Sequence, residues 1–178
     1  RRSSSLDTVI QWLSARYNQS IAALNAAWAT NASTWEDVPL AIPFPASAAR
    51  TADNVAFARY YSATYHGIAA AAIRAHDQRH MILGGRYSSF SAVARSVIGG
   101  ASTTSDVIDV HMYSSEPDVA MLEQLHKISG GKPVLMSEFG FRARDSGLPN
   151  YHVTWVDKTT LKLGKQSAGP LLMTQTQR

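Results

Sequence analysis

The sequence has no cysteine, which excludes disulfide bridges and thiolate metal sites and leaves the redox compartment open. Charged residues are sparse, 17% of 178 positions against 45% hydrophobic ones, so the chain is globular and long enough for one domain with a real core. No apolar run is long enough to span a membrane, and the opening RRSSSLDT lacks the apolar segment of a signal peptide. A net charge of +4 is thinly scattered, with local concentrations only at residues 1–2 and 158–165. Neither is interleaved with aromatic residues as a nucleic-acid surface would be, so neither a nucleic acid nor a membrane is an expected partner. Three histidines, His66, His76 and His80, come without a matching set of carboxylates. No metal or other cofactor is expected.

What is present is periodic. Leu6, Val9, Ile10, Leu13 and Tyr17 fall at helical spacing after Ser5 or Asp7. Ser20 is placed to cap a second short helix carrying Ile21, Leu24 and Trp28. Residues 30–50 are a connection in which Pro39, Pro43 and Pro45 forbid a regular helix. The longest helix is expected from Asp53 to about Ala75, with Phe57, Tyr60 or Tyr61, Thr64, Ile68 and Ala71 or Ala72 as its buried stripe. Strands are expected at 81–87 (MILGGRY), 107–113 (VIDVHMY) and 134–136, with helices around 90–98 and 118–129 between them. In the second strand Ile108, Val110 and Met112 share one face and Asp109, His111 and Tyr113 the other. The first face suits helix packing and the second a cleft.

Strands separated by single helices imply right-handed βαβ units and a parallel sheet. Chemistry in such folds gathers at the C-terminal strand ends. Arg86, His111, Tyr113 and Glu138 stand there. The stretch KPVLMSEFGFRAR, residues 132–144, organises the chain, because it sends a carboxylate, Glu138, to the end of a buried strand. Such a group needs partners to offset its desolvation. An ion pair with Arg142 or Arg144 is the alternative to a catalytic role.

Taken together, LNAAWAT, RYYSATYHGIAAAAIRAHDQRHMILGGRY, DVIDVHMYS and KPVLMSEFGFRARDSGLPN resemble the retaining (β/α)8-barrel glycoside hydrolases of clan A, over residues 6–150. Within them the β-galactosidase- and agarase-like enzymes are most similar. The resemblance implies an α/β fold, a partial (β/α)8 TIM barrel in which three parallel strands are the family's fifth, sixth and seventh. It implies Glu138 as nucleophile, Tyr113 as its hydrogen-bond donor, His111 near the sugar subsite and Arg86 at the substrate cleft. Residues 1–150 would form the partial barrel and 151–178 a divergent tail.

The family's acid/base glutamate follows an asparagine at the end of strand four. No Asn-Glu pair occurs here; the glutamates are Glu36, Glu116, Glu123 and Glu138. Retaining hydrolysis needs two carboxyl groups about 5–5.5 Å apart, so the chain supplies half of the chemistry and is expected to be weak or inactive alone. The function implied is hydrolysis of a carbohydrate substrate. The alternatives are an incomplete carbohydrate-binding or scaffold fragment, with Trp28, Trp35 and Trp155 as sugar platforms, or a different hydrolase using His111 with Glu138. An open three-stranded sheet, with an exposed inward face that includes Val107, Val134 and Met136, also predicts association as a homo-oligomer or with a missing N-terminal half-barrel.

Overall fold

Four of the helices begin where a short polar side chain caps the first turn. Ser20 accepts from the Ala23 amide (3.2 Å), Ser47 from Arg50 (3.0 Å), Ser91 from Ala94 (3.2 Å) and Asp118 from Met121 (3.0 Å). The computed structural model describes residues 4–40, 47–88, 90–113, 117–139, 151–156 and 163–167. In chain order these give α1 (Ser4–Arg16), α2 (Ile21–Trp28), a 3-10 turn (Trp35–Asp37), α3 (Ala48–Arg74), β1 (Arg86–Tyr87), α4 (Ala92–Ala101), β2 (Ile108–Met112), α5 (Val119–Ile128), β3 (Val134–Phe139), β4 (Tyr151–Val156) and β5 (Leu163–Ser167).

β1, β2 and β3 form a parallel sheet in that order. β4 and β5, two strands not expected from the sequence, pair antiparallel in a separate sheet. The apolar face of β2 behaves as its alternation predicts. Ile108 and Val110 are buried with Ile98 of α4 and Leu125 of α5, and Met121, Leu122, Val134 and Met136 pack around them. That cluster holds the helices against one side of the sheet. Val134 and Met136, together with buried Val107, were expected to line the opposite, inward face. The parity of β3 puts Val134 and Met136 in the helix-side cluster, and it is Leu135, in register with Asp109, that lies on the other side.

A second core joins α1 and α2 to the following loop through Ile10, Leu13, Leu24, Trp28, Ala32 and Val38. The loop is pinned by Asn25, whose Nδ2 donates to the Ala32 carbonyl while its Oδ1 accepts from the Ala32 amide and the Thr30 hydroxyl. Asp53 ties this unit to α3. It was expected to start the helix; the Ser47 cap starts it earlier, and Asp53 is instead a buried carboxylate, 3% exposed. Its Oδ2 accepts from Trp28 Nε1 (2.8 Å) and Tyr17 OH (2.6 Å), and its Oδ1 from Arg16 Nε (2.5 Å). Burial and the neighbouring carboxylate push the Tyr17 hydroxyl up to about 12.

Apart from Phe57, half-buried against Trp12, the expected buried stripe of α3 is on the wrong face. Tyr60, Tyr61, Thr64, Ile68, Ala71 and Ala72 are exposed, whereas Arg50, Asp53, Ser62 and Ala70 are buried. The reason is the partner helix. α4 presents Gly99 and Gly100, and a Cβ on Gly100 would stand 2.3 Å from the Arg59 carbonyl oxygen. So close an approach admits only the small side of α3, and the large aromatic residues turn outward.

The first strand is also shorter than expected. The Ile82 amide is taken by the Asp106 carboxylate (2.7 Å) rather than by a strand, Gly84 adopts a φ of +73°, and ladder pairing begins only at Arg86.

Candidate active site

β2 and β3 run in simple register through Ile108–Val134, Asp109–Leu135 and Val110–Met136; the next pair is His111 with Glu138. Ser137 is therefore an extra residue on β3, a one-residue bulge. On strict alternation Glu138 would follow Val134 and Met136 onto the helix-packed face. The bulge turns it to the side of Asp109 and His111. Ser137 itself donates through its hydroxyl to Asp109 Oδ1. Asp109 is buried.

Four side chains from three strand ends meet there. The Tyr113 hydroxyl donates to Glu138 Oε1. Arg86 Nη2 donates to Glu138 Oε2 at 2.6 Å, and Arg86 Nε donates to His111 Nε2 at 2.9 Å. That second bond makes His111 Nε2 an acceptor and leaves the ring proton on Nδ1. Nδ1 lies 3.6 Å from Glu138 Oε2, so this proton is on the carboxylate side of the ring. The Tyr113 hydrogen bond, then the N–H side of the His111 ring and the Arg86 guanidinium, hold the Glu138 carboxyl below its ordinary value against the opposing effect of desolvation. The same hydrogen bond pushes Tyr113 up. The Glu138 side chain is still 43% exposed, so the carboxylate is both ionised and reachable.

The structure thus brings together Glu138, Tyr113, His111 and Arg86, the residues singled out in the sequence. Among the described residues the cation on Glu138 is Arg86; Arg142, Arg144 and Glu116 lie outside them. Trp28, 3% exposed with Arg50 over its ring at 5.1 Å, presents no open face to a sugar, and Trp35 is half-buried against the core of α1 and α2. The side chain of Trp155 is outside the described residues. His66 is half-buried, its Nδ1 2.9 Å from the Ser62 carbonyl, and His80 pairs with Asp77. Among the described residues no three ligating side chains gather as a metal site would require, and no helix is long and apolar enough to cross a membrane. The pairing of Asp109 with Ser137 is not legible in the sequence. Asp109 sits on the polar face of β2, but nothing in SEFG marks the serine as the bulged position.

No protein-family model matches the chain. A curated relative, beta-agarase A of Vibrio sp. (strain JT0107), is 31% identical over 137 residues, which is 74% of this chain and 14% of that protein. The solved structure of an exo-beta-agarase superposes with a TM-score of 0.68 at 25% identity over 79% of this chain, and that of the agarase AgWH50C with 0.66 at 22% over 80%. The chain spans only 19% and 20% of those two structures. It is similar to part of each, and over that part it shares their fold.

Proposed function

We propose that the chain carries the nucleophile half of a retaining, agarase-like glycoside hydrolase, and that the three parallel strands are part of a (β/α)8 barrel spanning residues 1–150, with 151–178 a divergent tail. Glu138 is the nucleophile, Tyr113 and Arg86 hold it ionised and oriented, and His111 lines the sugar subsite with Arg86 beside it. The observation that carries this is the convergence of a tyrosine hydroxyl, a guanidinium and an imidazole N–H side on one exposed carboxylate at the C-terminal strand ends. An ionised, positioned carboxylate is what formation of a glycosyl-enzyme requires. Similarity to agarases supports a galactose-containing polysaccharide as substrate. The acid/base carboxyl comes from a segment outside this sequence.

His111 as the general base of another hydrolase is disfavoured, because its Nε2 is occupied by Arg86. The buried face of Trp28 speaks against a sugar-platform module.

The test exploits the missing acid. A dinitrophenyl 2-deoxy-2-fluoro-β-galactoside has a leaving group that departs without protonation, so the first displacement needs the nucleophile alone. Glu138 attacks C1, dinitrophenolate leaves, and the covalent ester accumulates. The expected result is one sugar per chain on the peptide containing Glu138 and none in Glu138→Gln. Labelling at another residue, or equal labelling of Glu138→Gln, refutes the assignment.

A further inference from the structure

The side of the sheet on which Glu138 stands depends on the bulge at Ser137, and something must hold that bulge. A one-residue slip between β2 and β3 moves every following side chain to the other face. Downstream of Met136 the ordinary register would pair His111 with Ser137 and send Glu138 towards the cluster of Val110, Leu125 and Met136. The extra residue is fixed at one point by a side chain: the Ser137 hydroxyl donates to Oδ1 of buried Asp109, the residue two before His111 on the neighbouring strand.

We propose that Asp109 and Ser137 are a positioning pair, in which the hydrogen bond between them locks the β3 bulge and so keeps the Glu138 carboxylate against Tyr113, Arg86 and His111. Neither residue touches the reacting atoms. Ser137 needs only its hydroxyl and Asp109 only an acceptor oxygen, so Ser137→Thr and Asp109→Asn preserve the lock while Ser137→Ala and Asp109→Leu release it. The consequence for sugar chemistry rests on Glu138 being the nucleophile; the positional consequence does not.

The two are separated by two readouts on the same chain. The first is the ionisation of Tyr113 followed by carbon-13 NMR of labelled tyrosine rings, with Tyr113→Phe giving the assignment. Tyr113 is held above the ordinary tyrosine range first of all by the hydrogen bond that it donates to the Glu138 carboxylate. In Ser137→Ala and Asp109→Leu it is expected to fall back to that range, as in Glu138→Gln, and in Ser137→Thr and Asp109→Asn to stay where it is in the parent chain. The second is fluoro-sugar labelling, which should slow by about ten- to a hundred-fold in the releasing variants, the cost of a small misplacement of a reacting group. A folded Ser137→Ala chain whose Tyr113 titrates as in the parent overturns the positioning pair; this small substitution at an exposed position keeps the test open if Asp109→Leu does not fold. If Ser137→Ala releases Tyr113 and the parent chain takes no label, the positioning pair stands and the nucleophile assignment alone falls.

Discussion

Removing the Asp53 carboxylate should destabilise the chain more than any other single polar deletion in its helical part. Asp53 is buried and takes three donors from two other helical segments, so Asp53→Ala strands several groups at once. The Arg16 side chain is 42% exposed, so its share is that of a surface ion pair, at most about 1 kcal/mol. The indole N–H of Trp28 is different: its bond to Asp53 is buried, and an unsatisfied buried donor costs about 1–3 kcal/mol. Tyr17 is half-buried and loses a charge-assisted bond worth about 1.5–3 kcal/mol, part of which water restores. Together these give a loss of about 3–5 kcal/mol, a large part of the roughly 5–15 kcal/mol that holds an ordinary domain folded. Asp53→Asn keeps one acceptor oxygen for Trp28 and should cost about 1–2 kcal/mol. Urea unfolding reads both, as a lower midpoint at unchanged slope. The cycle with Trp28→Phe separates the indole: once the N–H is gone, Asp53→Ala should cost at least about 1 kcal/mol less. A loss below about 1 kcal/mol for Asp53→Ala, or an equal loss for alanine and asparagine, would refute the account.

Three further expectations follow from the same structure. Glu138 is held below the ordinary carboxylate range, so its ionised form, and any stability linked to it, is present at and above that range and is lost as pH falls through the depressed value. Tyr113→Phe removes the largest cause, and the acid limb of fluoro-sugar labelling should move up towards the ordinary range; an unmoved limb counts against the contact. Gly100→Ala must push aside the Arg59 carbonyl and should cost about 1–3 kcal/mol, whereas Gly67→Ala, with open space around its Cβ, should gain up to about 1 kcal/mol from helix propensity, both read by thermal unfolding. Finally, Tyr61 and Tyr65 stack on the outer face of α3 at 58% and 62% exposure beside Ile68, and β1 and β3 are open edges in the described sheet, so light scattering over a concentration series should show self-association; a monomer at every concentration would sink this.

How much of this was legible in the sequence depends on whether a residue's partners were local. The α2 helix was readable to the residue, because Ser20 and the Ile21–Leu24–Trp28 spacing lie within one short segment. The two faces of β2 were readable because alternation is a property of the strand itself. The buried face of α3 was not. Its sequence offers an aromatic stripe and a small-residue stripe, and the choice between them is made by Gly99 and Gly100 on a helix that begins 18 residues later. The same holds for residues 81–85, whose apolar run reads as strand until the Asp106 side chain takes the Ile82 amide. Asp53 looked like a helix start because aspartate favours such positions, and its role appears only when Arg16, Tyr17 and Trp28 arrive from elsewhere.

Glu138 shows where the boundary falls for the site. That a carboxylate follows an apolar strand can be read directly from VLMSEF, but the side of the sheet on which it stands cannot. Two registers compete. The regular one keeps every ladder bond and places the carboxylate under α5 among Val110, Leu125 and Met136, where a charge without a partner costs several kcal/mol or must be neutralised. The bulged one loses about one ladder bond, roughly 1 kcal/mol, and places the same group before Tyr113, Arg86 and His111, with water still in reach. The difference keeps Glu138 off the helix-packed face, and the Asp109–Ser137 hydrogen bond then fixes its place against Tyr113 within the bulge. The fold's preference for a satisfied carboxylate therefore creates the exposed, ionised group that a displacement at a sugar carbon would use.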